Sequence, residues 1–160
     1  MGAGKTSVGR ELAVLLDWGF SDLDELIETR AGAPVARLFA RHGEEWFREQ
    51  ERLVAEGLTS STRLVIAAGG GAWVQPQTRA LLAHDAVSVW LRCPLEVMMR
   101  RIGSGGTRPL ATNRAKMAVL LQSREPAYRL ADLSVEASQV GPGAVARTVI
   151  RAVFGLQAHP

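Results

Sequence analysis

Gly2-Ala3-Gly4-Lys5-Thr6, running straight into Ser7-Val8-Gly9-Arg10-Glu11-Leu12, decides how the rest of the chain is read. Two glycines around a small residue, then a lysine and a hydroxyl residue at the mouth of an apolar-periodic segment, form the second half of a phosphate-binding loop. The full pattern is G-x-x-x-x-G-K-S/T. The chemistry needs those residue types: small residues let backbone N–H groups close on phosphate oxygens, and a helix N-terminus adds positive potential. Lys5 would reach the β- and γ-phosphates, and Thr6 would offer its hydroxyl to magnesium. Gly2, Ala3, Gly4, Lys5, Thr6 and Ser7 are therefore the candidate nucleotide-binding residues. A glycine-rich terminus with an exposed lysine is the plainer reading, but it does not account for five consecutive matches that open an amphipathic helix.

Working outward, Val8, Leu12, Leu15 and Leu16 recur at helical spacing and predict a buried stripe on the helix that follows the loop. Gly19-Phe20-Ser21 leads into a short strand ending near Asp22. Helical patterns follow over Asp24 to Arg30, Pro34 to His42 and Glu44 to Leu58, separated by Gly and Pro, and make a helical region of about 23–60. Leu64-Val65-Ile66-Ala67, stopped by Gly69-Gly70-Gly71, and Val87-Ser88-Val89-Trp90-Leu91, stopped by Pro94, read as buried parallel strands. Gly103-Ser104-Gly105-Gly106-Thr107-Arg108 reads as part of a lid over about 103–113. A helix over Arg114 to Glu125, a strand over Leu133 to Val135 and a last helix over Pro142 to Phe154, with Val145, Val149, Ile150 and Val153 inward, complete the alternation. Such alternation predicts a three-layer α/β fold, a short, mostly parallel sheet flanked by helices. At 160 residues the chain suits one domain, 1–160. In such a sheet the phosphate loop follows a central strand, yet nothing precedes Met1. The expectation is a missing first central strand and first loop glycine, through a start assigned inside the gene or a truncated form, with marginal stability and weak nucleotide binding.

Composition narrows the class. The net charge of +3 comes from 19 basic against 16 acidic residues, the arginines are scattered, and only 6% of residues are aromatic, so no base-stacking platform or basic tail is evident. Excess arginine suits a small anionic substrate, because the planar guanidinium grips carboxylate and phosphate bidentately. The apolar runs are strand-length, the start lacks the regions of a secretory signal, and the single Cys93 forms no internal disulfide. These features predict a cytoplasmic monomer with no nucleic-acid or membrane partner.

Asp22-Leu23-Asp24 stands where strand gives way to helix, so its two carboxylates can divide the work of holding magnesium and facing a substrate hydroxyl. Capping of the following helix is the plainer role for either. Gly69-Gly70-Gly71 gives a backbone that a ligand can approach without meeting a Cβ. Arg48, Arg108 and Arg124, taken singly, read as solvated residues.

In order along the chain, these segments resemble the shikimate kinase family from Gly2 to about Phe154. Gly2 to Arg10 resembles the family's nucleotide loop and the helix after it, Phe20 to Glu28 its F-x-D-x-D-x-x-I-E stretch, and Gly43 to Glu51 its G-E-x-x-F-R-x-x-E segment. Gly69-Gly70-Gly71 resembles its glycine triplet, Arg108-Pro109-Leu110 the end of its lid, and Ser123 to Tyr128 its R-x-P-x-Y segment. The resemblance implies a P-loop kinase fold and transfer of phosphate from ATP, with Mg2+, to shikimate. It implies that Asp22 aids magnesium with Thr6, that Asp24 holds shikimate hydroxyls and acts as or near the general base, and that Arg48 and Arg124 take the carboxylate. It also implies a Gly70 N–H donated to substrate, a catalytic Lys5 and Arg108, Arg108 over the ATP phosphates, and Arg101 near the nucleotide. The stretch Ser138 to Pro142 departs from the basic residue the family often carries before its last helix, which leaves the adenine contacts open. Two alternatives stand beside this reading: a related kinase of a carboxylated polyol such as gluconate, and a non-catalytic ligand-sensing domain of the same fold.

Overall fold

The computed structural model describes residues 2–103, 114–138 and 141–156. The expected lid with Arg108, and Gln139 in the adenine-side loop, lie outside the described residues. In chain order the elements are α1 (Lys5–Leu16), β1 (Gly19–Asp22), α2 (Leu23–Ala31), α3 (Val35–Leu58), β2 (Leu64–Ala67) and α4 (Gly70–Val74). There follow α5 (Pro76–Ala83), β3 (Val89–Arg92), α6 (Leu95–Gly103), α7 (Arg114–Tyr128), β4 (Leu133–Glu136) and α8 (Pro142–Leu156).

All four described strands pair in parallel, β1 with β2 in the register Gly19 to Leu64 and β3 with β4 in the register Val89 to Leu133. They form two separate two-stranded pairs, where the sequence pattern predicted one sheet. Helix α1 spans both. It packs on β1 and β2, and its Val8 and Leu12 join Val89, Leu91, Val135, Val145 and Val149 in one core under α8. A second core, Leu23, Ile27, Leu38, Phe47, Val54 and Ala72, binds α2, α3 and α4 together on the other side. Burying a side chain such as Leu23 or Phe47, each at most 2% exposed, contributes about 2 kcal/mol, so this helical side has a core of its own.

Two local departures from the sequence pattern stand beside one expectation that holds. Leu15, expected inward, is 45% exposed, because the buried stripe of α1 runs through Val8, Gly9 and Ala13 instead. Gly9 is required there: a Cβ would stand 2.6 Å from the Phe20 ring of β1. Within α3 the helices read before and after Gly43 are separated as expected, because Gly43 takes the non-helical φ 80° and ψ 178°. Helix α7 continues past Glu125 to Tyr128 with Pro126 inside it. Among the described residues no helix is long and apolar enough to cross a membrane.

Candidate active site

The loop before α1 turns on two left-handed residues, Gly2 at φ 72° and Gly4 at φ 87°. A Cβ on Gly2 would come within 2.9 Å of the Met98 carbonyl of α6, so glycine is needed for approach as well as conformation. Arg101, one turn further along α6, donates to the carbonyls of Gly2 and Ala3 at 3.4 Å and to that of Ala137 at 3.0 Å. It thus ties the loop to the end of β4. Lys5, half-buried, and Thr6 open the helix whose positive end faces the loop.

Asp22 caps the helix after it and also reaches the phosphate loop. One oxygen caps α2 by accepting the Asp24 N–H at 3.0 Å, and the other accepts the Thr6 hydroxyl at 2.6 Å. A hydroxyl and a carboxylate, both hard oxygen donors, are thereby in contact at the mouth of the loop. That is the donor set magnesium takes when phosphates and water complete its shell. Among the described residues no group of three or more His, Cys, Asp or Glu side chains is placed to hold a metal without such help.

Gly69, Gly70 and Gly71 form the floor of a second half-site. A Cβ on Gly69 would lie 3.1 Å from Glu51 Oε1 and 3.4 Å from Asp24 Oδ1. On Gly70 it would collide with the Tyr128 hydroxyl and stand 3.5 Å from Arg124 Nη1. On Gly71 it would sit 2.6 Å from Cζ of Arg48. Each glycine thus leaves room for a different polar side chain, and Asp24, Arg48 and Arg124 converge over one stretch of bare backbone. As the first residue of α4, Gly70 keeps its N–H free of an intrahelical acceptor.

The two arginines differ in how they are held. Arg48 donates to Glu51 at 2.6 Å and to Glu44 at 2.7 and 3.1 Å. Burial pulls its guanidinium down, but the bonds to Glu51 and Glu44 outweigh that and hold it above the usual value. Glu51 is 1% exposed, and burial pushes its carboxyl above the usual range, with Arg48 pulling it back and the charge of Asp24 adding to the rise. Arg124, half-buried on α7, makes no hydrogen bond among the described residues, and its charge helps to lower the Glu51 carboxyl.

Sequence reasoning named Asp22, Asp24, Arg48, Gly70 and Arg124; the fold brings Asp22 to Thr6 of the phosphate loop, and Asp24, Arg48 and Arg124 to the glycine triplet. It gave no role to Glu51, although the i, i+3 spacing from Arg48 on a helix is a legible signal for an ion pair. Tyr128 stood in the R-x-P-x-Y segment without a role of its own, and Trp73, which joins it in linking α4 to α7, carried no signal.

A family model described as Shikimate kinase matches residues 1–154. A shikimate kinase of Cereibacter sphaeroides is 40% identical over 163 aligned residues, covering 100% of this chain and 80% of its own. One of Moorella thermoacetica is 41% identical over 155, covering 96% and 90%. Among solved structures, shikimate kinase from Acinetobacter baumannii in complex with shikimate superposes with a TM-score of 0.94 at 36% identity, covering 99% of this chain and 91% of that one.

Proposed function

The chain belongs to the shikimate kinase family, and we propose that it transfers the γ-phosphoryl group of MgATP to shikimate, giving ADP and shikimate 3-phosphate. The observation that carries this reading is the convergence of Asp24, Arg48 and Arg124 on the glycine triplet, beside the phosphate loop. Two guanidiniums suit one carboxylate, and a neighbouring carboxylate suits a hydroxyl.

Phosphoryl transfer needs mainly positioning and neutralisation of charge on the equatorial oxygens. In this reading the loop backbone of Gly2, Ala3, Gly4 and Ser7 cradles the phosphates, and Arg101 holds the loop in shape from behind. Lys5 and Arg108 neutralise the transferring group. Thr6 and Asp22 would hold magnesium, which would supply neutralisation of the phosphate charge. Arg48 and Arg124 fix the ring through its carboxylate, Gly70 donates its N–H to the substrate, and Asp24 orients the attacking hydroxyl and takes its proton. The active unit in this reading is a monomer.

A coupled ADP-release assay with MgATP tests this reading, with shikimate and gluconate as rival acceptors. A site that bonds ring hydroxyls and a carboxylate in fixed geometry should favour shikimate by about 100-fold or more in kcat/KM. Preference for gluconate, or ADP release independent of either acceptor, would overturn it.

A further inference from the structure

We propose that Trp73 and Tyr128 are positioning residues that fix Arg124 against Gly70, and so set the affinity of the site for the substrate carboxylate. The inference rests on the reading above and goes beyond it by assigning the α4–α7 junction a task in substrate binding.

Trp73 lies one turn beyond the glycine triplet, its N–H reaching the Gly69 carbonyl at 3.3 Å. Its indole Nε1 donates to the Ala127 carbonyl at 2.9 Å. Arg79 of α5 holds the same turn from the other side, donating to the carbonyls of Trp73 at 3.0 Å and Val74 at 3.3 Å. Tyr128 makes the second tie, its hydroxyl donating to the Gly70 carbonyl at 3.4 Å while its ring rests against Trp90 of β3, with centroids 5.9 Å apart. Ala127 and Tyr128 lie three and four residues after Arg124, on the same face of α7. Pro126 removes a donor from this last stretch of the helix, so its placement depends more on contacts from outside.

Arg48 needs no such help, because Glu44 and Glu51 grip its guanidinium. Arg124 has no hydrogen bond of its own among the described residues, so its place follows from the place of α7. The Trp73 and Tyr128 ties determine that place relative to Gly70.

Trp73→Phe and Tyr128→Phe keep the rings and remove the donors. Each should raise the shikimate KM about three- to tenfold, the worth of one hydrogen bond, with the ATP KM and kcat within about twofold of the parent. In an Arg124→Ala background, Trp73→Phe should add nothing to the shikimate KM, because the residue through which it acts is gone. An unchanged shikimate KM, an equal rise in both KM values, or full additivity with Arg124→Ala would each overturn the inference. If Trp73→Phe does not fold, as judged by thermal melting, Tyr128→Phe decides alone by the same criteria. Failure of the parent chain to turn over shikimate would remove the functional reading, and this inference with it. A working parent with silent variants removes the inference only.

Discussion

Arg48 on α3 and Arg124 on α7 approach the same glycine backbone from two regions that are stabilised in opposite ways. The α3 side has its own apolar core, and within it Arg48 is locked by two carboxylates, one of them almost fully buried. On the α7 side the guanidinium of Arg124 makes no hydrogen bond among the described residues and is placed through the helix that carries it. The lesson concerns cost. A prearranged cation loses little freedom when substrate binds, but it brings a buried counter-charge that must never be left alone. A free cation carries no such liability and surrenders more conformational entropy on binding.

The largest expected effect falls between the two arginines. Asp24→Asn should lower kcat by roughly 10²- to 10⁴-fold, the usual worth of a positioned acid–base group, with the ATP KM within about twofold. Near-normal turnover in steady-state assays would take Asp24 out of the chemistry and leave the arginines as binding groups only.

Arg48→Ala breaks the comparison from the α3 side. It should lower kcat/KM for shikimate about 100-fold and also destabilise the fold by about 3–5 kcal/mol, because Glu51 is left buried without its cation. Differential scanning calorimetry should register a fall of about 10 °C in Tm. Adding Glu51→Gln should restore much of the melting temperature and none of the affinity. The pH dependence has a definite sign. Burial raises the Glu51 carboxyl in the folded chain, so its contribution to stability is present below the ordinary carboxylate range and is lost as pH climbs through the folded value. The Arg48→Ala deficit should therefore shrink as pH falls and Glu51 takes up a proton; a deficit that grows on acidification would contradict the assignment.

Arg124→Ala sharpens the comparison from the α7 side. Affinity for shikimate should fall by about 10- to 100-fold, while Tm stays within about 2 °C, because no buried partner is orphaned. A melting loss as large as that of Arg48→Ala would show that the two regions are built alike.

The sequence carried most of this fold where one local rule decides the outcome. The strand over Leu64 to Ala67 is a continuous apolar run, and the break at Gly43 survives as a left-handed kink inside α3. It carried less where packing decides. Leu15 matched the helical period but lost its place in the core to Gly9 and Ala13, and the bare backbone of Gly9 lets Phe20 close on α1. The turn Gly70–Val74 is a helix that its glycines disguise, since propensity alone argues for a loop. Site residues with a fixed spacing to a motif, such as Asp22, Asp24 and Arg48, were readable. Residues that act across elements were not: the pairing of Trp73 with Ala127 joins positions 54 apart in sequence, and no local period reports it.

The most direct test of the account is ³¹P NMR of a mixture of the chain, MgATP and shikimate. One new phosphomonoester resonance, coupled to a ring methine proton, should grow in step with ADP. ADP with inorganic phosphate alone, or a spectrum unchanged in the presence of folded protein, would contradict it.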